Sequence, residues 1–170
     1  MSIVAPESWK KIDPKNYKKL GIANNEDVIC IGSYLSNEET EPTLINFYDY
    51  SKNDAKFLDE LHKYYDEIEE MNELIDGNPD DEDYESTAIV RSLYHGYIND
   101  SKNIIYVNFN KVLVPKGYKY ILQLFNKGSN GMYCLEMNLH DVNEHDVLSN
   151  IKKSKNASDA IRVLNDLAGK

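Results

Sequence analysis

Three segments in the second half of the chain have the composition of β-strands, and the turns between them restrict the fold more than any other feature. Residues 103–109, 118–125 and 132–139 are rich in β-branched and aromatic side chains. The last two are separated by residues 126–131 (NKGSNG), whose glycines and asparagines adopt a positive φ at little cost. The sequence therefore predicts an antiparallel hairpin in this region and a sheet built around it.

Two further strand-like runs lie closer to the N-terminus. Residues 27–35 (DVICIGSYL) and 43–50 (TLINFYDY) are compact apolar segments joined by a short polar loop. Such an arrangement predicts a pair of adjacent antiparallel strands. Residues 1–25, in contrast, are polar and are interrupted by Pro6 and Pro14, which favours a loop with short turns.

The spacing of apolar residues changes to three and four positions between residues 53 and 75. This period predicts an amphipathic helix of about six turns. The side of this helix that faces solvent is expected to be acidic, because seven carboxylates lie between residues 59 and 73. Gly77 and Pro79 follow the apolar period and are expected to end the helix.

A second helix is predicted to begin at Ser86 or Thr87 and to end near Asn99, because its apolar residues recur at a similar spacing. Its expected buried side consists of Ile89, Val90, Leu93, Tyr94, Tyr97 and Ile98. Two shorter helices are predicted at residues 143–151 and 157–167. Helices and strands therefore do not alternate as they would in a parallel βαβ sheet.

These elements predict a single α+β domain over residues 1–170. We expect about five mainly antiparallel strands, with about four helices packed on one face of the sheet. Hydrophobic residues make up 41% of the chain, which is enough to bury a core without disulfide support.

The net charge of −10 is concentrated in one segment. Residues 54–85 contain fourteen acidic residues and two lysines, so the remainder of the chain is close to neutral. The end of this segment, residues 76–85 (DGNPDDEDYE), has almost no apolar content and predicts a mobile acidic loop.

Several locations and partners are disfavoured by composition. No apolar stretch is long enough to span a membrane, and the N-terminal region lacks the apolar core of a secretory signal, so we expect a cytoplasmic protein without membrane contact. Arginine occurs only at positions 91 and 162, and the charge is strongly negative. Both observations argue against binding to nucleic acid.

The patterns that could carry catalysis or bind metal are incomplete. Residues 76–87 begin like a calcium-binding loop, but Asp81 replaces the glycine at the sixth position and Thr87 the glutamate at the twelfth. His62 is interpreted as a surface residue of the acidic helix, and His95 as a residue of the second predicted helix. No serine or cysteine lies in a strained glycine turn, and no glycine-rich phosphate loop is present. We therefore expect no enzymatic activity, no cofactor and no metal.

A small, acidic, cytoplasmic chain without catalytic motifs is typical of proteins that bind and neutralise a basic partner. The most specific expectation is an immunity protein that blocks a basic bacterial toxin of the nuclease type, whose cationic cleft would accept carboxylates in place of phosphates. The residues expected to bind the partner are Asp59, Glu60, Asp66, Glu67, Glu70, Glu73, Asp80, Asp81, Glu82, Asp83, Tyr84 and Glu85.

Three alternatives remain open from the sequence. An acidic secretion chaperone would have the same size and charge, and would dimerise through an apolar face. An inhibitor encoded by a phage that mimics DNA makes the same electrostatic prediction as the immunity protein. A small metal-assisted hydrolase, from a different class, would use His140, Asp141 and His145, provided that the chain brings a further ligand to them.

Overall fold

Seven antiparallel strands form one sheet in the part of the chain that the structure, a computed structural model, describes: residues 2–77, 80–82, 87–99 and 102–169. The strands are β1 (Lys10–Lys11), β2 (Ile29–Ser36), β3 (Thr43–Asp49), β4 (Val90–Asn99), β5 (Ile104–Val114), β6 (Gly117–Gly128) and β7 (Gly131–Leu139). The α-helices are α1 (Ala55–Asp76), α2 (Val147–Lys153) and α3 (Lys155–Ala168), and a short 3-10 helix spans Pro14–Asn16.

The strand order is β1-β2-β3-β7-β6-β5-β4. Strands β4 to β7 follow one another as neighbours, and β7 then pairs with β3. Both predicted hairpins are confirmed: β2 pairs with β3, and β6 pairs with β7 with Gly128 opposite Gly131. The pairing of β3 with β7 joins the two hairpin systems into one sheet.

The predicted number of elements was wrong. The described residues contain seven strands and three α-helices in one α+β domain, instead of about five strands and four helices. Strand β1 was missed because it is only two lysines long. The larger error is β4, which occupies the segment predicted as the second helix.

A β-bulge explains why β4 has the apolar spacing of a helix. The register with β5 shifts between Ser92 and Tyr94, so the strand contains one extra residue, Leu93. As a result, the consecutive residues Leu93 and Tyr94 both pack toward the same core. This interruption of the strict two-residue alternation gives apolar positions three and four residues apart, which is the spacing expected of a helix.

The helices lie on both faces of the sheet, which corrects the prediction that they pack on one. On the face that we call the α1 face, Leu58 of α1 packs in a core that includes Tyr106 and Phe125. The α3 face has a separate core in which Leu164 of α3 packs with Val107 and other strand residues. Tyr106 and Val107 are adjacent in sequence and point to opposite faces, as alternation along a strand requires.

Helix α1 confirms the predicted helix between residues 53 and 75. The side chain of Asp54 accepts a hydrogen bond from the backbone N–H of Lys56 at its start, and Gly77 ends it with a φ of 90°. Although α1 is 22 residues long, neither it nor any other helix among the described residues is long and apolar enough to cross a membrane.

The C-terminal half of α1 is attached to the edge strand β4 through side chains. Asn72 Nδ2 donates a hydrogen bond to the carbonyl oxygen of Val90 at 2.9 Å. The backbone N–H of Ser92 donates to Glu69 Oε1 at 2.7 Å, and Glu69 Oε2 lies 3.5 Å from the guanidinium of Arg91. The helix is therefore fixed against the sheet beyond the region where its apolar side packs.

A row of polar side chains crosses the α1 face from one side of the sheet to the other. Its members are directly opposed on neighbouring strands: His95, Asn108, Gln123, Glu136, Asn46 and Ser33. Asn108 Nδ2 donates to Gln123 Oε1 at 3.1 Å, and Gln123 Nε2 donates to Glu136 Oε2 at 2.8 Å. The row ends on β4 at His95, next to α1.

Candidate functional site

The acidic residues predicted to bind a partner on the helix share the exposed surface of α1. These residues, all exposed, are Asp59, Glu60, Asp66, Glu67, Glu70 and Glu73. Asp59 and Asp66 make intramolecular hydrogen bonds. Asp59 accepts one from the hydroxyl of Tyr97, and Asp66 accepts one from His95. Glu67 lies 4.0 Å from Lys63, an exposed ion pair of small energetic value. Glu60, Glu70 and Glu73 make no ion pair or side-chain hydrogen bond within the described part of the chain.

The predicted loop residues are only partly described. Asp80, Asp81 and Glu82 are exposed in a short turn, whereas Asp83, Tyr84 and Glu85 lie outside the described residues. The mobility predicted for residues 76–85 therefore stays a prediction.

The structure gives Asp76 a different role from that of a calcium ligand. Its side chain is almost fully buried, and it accepts hydrogen bonds from both the backbone N–H and the hydroxyl of Thr87. It also lies 4.0 Å from Arg91. Asp76 and Thr87, the first and twelfth positions of the calcium-like pattern, are thus hydrogen-bonded to each other.

Apolar side chains lie beside the acids on the outer surface of α1. Leu74 is 87% exposed, Ile75 72% and Met71 59%, and Tyr64 is exposed two turns before Met71. We call these four residues the apolar stripe. These four residues are part of the apolar period of the predicted helix, but the side of α1 that faces the sheet is occupied by other residues, including Tyr65 and Asn72.

Two histidines and one aspartate meet where α1 crosses β4. His95 Nε2 lies 2.6 Å from Asp66 Oδ1, and His62 Nε2 lies 3.6 Å from Asp66 Oδ2. We call these three residues the His-Asp cluster; one nitrogen or oxygen atom from each lies within 4.8 Å of the others. The hydrogen bond from His95, supported by the nearby ring of His62, lowers the pKa of the Asp66 carboxyl.

The other ring nitrogen of each histidine is bonded to a hydroxyl group. His95 Nδ1 lies 2.7 Å from Ser92 Oγ, and His62 Nδ1 lies 3.3 Å from the hydroxyl of Tyr106. Both rings are therefore oriented with Nε2 toward Asp66. The carboxylate is 52% exposed, and the two imidazoles are 38% and 14% exposed, so the cluster opens to solvent on its Asp66 side.

The floor of the cluster is aromatic. Tyr106 is fully buried, and its ring is perpendicular to that of His62, with 5.8 Å between the centroids. Tyr97 packs edge-on against Tyr106 at 5.1 Å. Burial, together with the hydrogen bond to Asp59, raises the pKa of Tyr97 to about 12. Burial also raises the pKa of Tyr106. The phenols of Tyr97 and Tyr106 therefore stay protonated at neutral pH and can donate hydrogen bonds.

The sequence did not predict the His-Asp cluster, because His95 was assigned to a helix. The available signal was the spacing of His62 and Asp66, which places them on one side of a helix. The histidines that were considered for a metal-assisted hydrolase are arranged differently. His140 Nδ1 lies 3.1 Å from Glu41 Oε2, and Asp141 and His145 are exposed. They do not form a three-ligand cluster in the described part of the chain.

No protein-family model matches the sequence, and comparison with the curated proteins gives no significant match. The function has therefore to be inferred from the geometry and charge of the described surface. Two features of that surface stand out, and both involve α1: the acidic and apolar outer surface, and the His-Asp cluster at its junction with β4.

Proposed function

We propose that the protein binds and blocks a basic protein through the outer surface of α1, as a cytoplasmic immunity protein does with a basic toxin of the nuclease type. The observation that carries this proposal is the combination of the apolar stripe with exposed carboxylates on the same helical surface. The stripe gives the partner an apolar contact, and the carboxylates favour a partner with lysine and arginine around that contact.

The carboxylates support the attraction of a basic partner. Glu67, Glu70 and Glu73 succeed one another at three-residue spacing, and each unfavourable pair of like charges costs a helix about 0.2–0.5 kcal/mol. The arrangement is thus not explained by the stability of α1. A dense negative field increases the rate of encounter with a basic protein, and this effect weakens as salt is added.

The apolar stripe supports a tight complex after encounter. Complete burial of a leucine, isoleucine or methionine side chain contributes about 1.5–3 kcal/mol. Leu74, Ile75 and Met71 are largely exposed in the isolated chain, so most of this energy is still available for binding. Contiguous exposed apolar surface with a polar rim is typical of a protein interface. The stripe also favours a protein over nucleic acid as the ligand.

The test is a comparison of two charge-reversed proteins with the same net charge. The site variant carries Glu67→Lys, Glu70→Lys and Glu73→Lys. The control carries Glu7→Lys, Glu26→Lys and Asp27→Lys, three exposed acids far from α1 in sequence. The partner is captured from a lysate of the source organism at low salt, released at high salt, purified and identified.

Dissociation constants for the purified partner are then measured at several salt concentrations. We expect the site variant to bind at least about tenfold more weakly and to lose most of the salt dependence, because the local charges no longer complement those of the partner. The control should retain most of the affinity. Equal effects of the two variants would show that only the net charge matters, and the absence of an effect in the site variant would rule out this surface.

A further inference from the structure

We propose that the His-Asp cluster is a binding site for a divalent transition-metal ion of the zinc type. The site would be formed by His62 and Asp66 of α1 and by His95 of β4. Asp66 also belongs to the acidic surface of α1, but the charge reversal that tests partner binding changes Glu67, Glu70 and Glu73 and leaves His62, Asp66 and His95 in place.

The donor atoms suit such an ion. Two imidazole nitrogens and one carboxylate oxygen are a common ligand set for zinc and for other first-row divalent ions. Ligand bonds of about 2.0–2.2 Å in tetrahedral geometry place the ligating atoms about 3.3–3.6 Å apart. The His62 Nε2 and Asp66 Oδ2 atoms already have this separation, at 3.6 Å. His95 Nε2 lies 2.6 Å from the other carboxylate oxygen, Asp66 Oδ1. One donor atom from each of the three residues lies within 4.8 Å of the others, so a separation has to shorten by at most about 1.5 Å for one ion to bind all three.

The bonds to the other ring nitrogens prepare both histidines for this role. In metal sites, a ligating histidine usually makes a hydrogen bond through its second nitrogen, which fixes the tautomer and the ring orientation. Ser92 Oγ provides this contact for His95, and the hydroxyl of Tyr106 provides it for His62. Ser92 is itself held by the hydrogen bond from its backbone N–H to Glu69, and Tyr106 is fully buried. Both supporting residues are thus held by contacts other than those to the histidines.

The solvent exposure indicates an open site. Three protein ligands leave at least one coordination position of zinc for water or for another ligand. Because half of the Asp66 side chain is exposed, that position would face solvent. The arrangement therefore differs from a closed structural zinc site, in which four protein ligands surround the ion.

The experiment is a titration of the metal-free full-length chain with Zn²⁺ by calorimetry. Co²⁺ absorption in the visible range serves as a second readout of coordination. The ligand variants are His62→Gln and His95→Gln, the supporting variant is Ser92→Ala, and the control is His145→Gln, which removes an exposed histidine outside the cluster. Circular dichroism verifies that each variant is folded before titration.

We expect one Zn²⁺ per chain in the wild type and in the control, and an affinity at least about tenfold lower in each ligand variant. Ser92→Ala should lower the affinity by about 10–100-fold, the usual effect of removing such a supporting contact. If the wild type binds no Zn²⁺, or if the ligand variants bind it as the wild type does, the cluster is a hydrogen-bonded contact and the proposal is wrong. The triple lysine variant at positions 67, 70 and 73 keeps all three ligands, so loss of partner binding and loss of metal binding are distinguishable.

Discussion

Two leucines on the same helix provide a direct test of which side of α1 is buried. Leu58 is 1% exposed and packs in the core of the α1 face, whereas Leu74 is 87% exposed in the apolar stripe. Leu58→Ala removes buried methyl groups and leaves a cavity beside Tyr106 and Phe125. We therefore expect the free energy of unfolding to fall by about 3 kcal/mol, within the usual range of about 2–5 kcal/mol for such a change. Leu74→Ala replaces one good helix former with another at an exposed position, so the free energy of unfolding should change by less than about 0.5 kcal/mol.

Urea denaturation followed by circular dichroism measures both values. With a denaturant dependence of about 2 kcal/mol per molar urea, Leu58→Ala should lower the unfolding midpoint by about 1.5 M. Leu74→Ala should leave the midpoint nearly unchanged, while it increases the dissociation rate of the proposed complex with a basic partner. Equal midpoint shifts for the two variants, or a larger shift for Leu74→Ala, would refute the assignment of the outer surface.

Two further predictions concern acid stability and a close backbone approach. The hydrogen bond from Ser8 lowers the pKa of Glu38. The Glu38 carboxylate therefore stabilises the fold at pH values above its pKa in the unfolded chain, which is about 4.3. This stabilisation is lost as the pH falls through the lower pKa that the group has in the folded protein. Between pH 5 and 3, urea midpoints should decrease less in Glu38→Gln than in the wild type, and an equal decrease would contradict this role. A Cβ atom on Gly128 would lie 2.2 Å from the carbonyl oxygen of Ala168, so Gly128→Ala should destabilise the protein by about 1–3 kcal/mol in thermal unfolding. Gly96→Ala is the control, because a Cβ there meets no atom closer than 3.6 Å, and comparable losses in both variants would count against the steric explanation.

The elements that the sequence predicted correctly are those defined by local signals. Helix α1 has a sustained apolar period, an aspartate at its start and Gly77 at its end, all within a few residues of the boundaries that they determine. The hairpin between β6 and β7 is likewise determined by its own turn residues. These features depend little on the rest of the chain, so the sequence pattern is sufficient to identify them.

The errors arise where distant contacts decide the structure. β4 is a strand because it pairs with β5, and its bulge gives it a pattern that, taken alone, favours a helix. The His-Asp cluster could not be predicted without that pairing, since it needs His95 at the edge of the sheet beside α1. Similarly, Leu58 and Leu74 are sixteen residues apart and therefore about 160° apart around α1, but only the packed structure shows which of the two faces the sheet.

The side-chain contacts between α1 and β4 also occupy backbone groups on an outer edge of the sheet. β4 is an outer strand of the sheet, and such a strand offers unpaired backbone groups to which another chain can add as a further strand. Here the carbonyl of Val90 is occupied by Asn72, the N–H of Ser92 is occupied by Glu69, and the bulge that follows interrupts the straight edge. The helix thus makes the first part of this edge less available for pairing with another chain, while its own outer surface remains exposed.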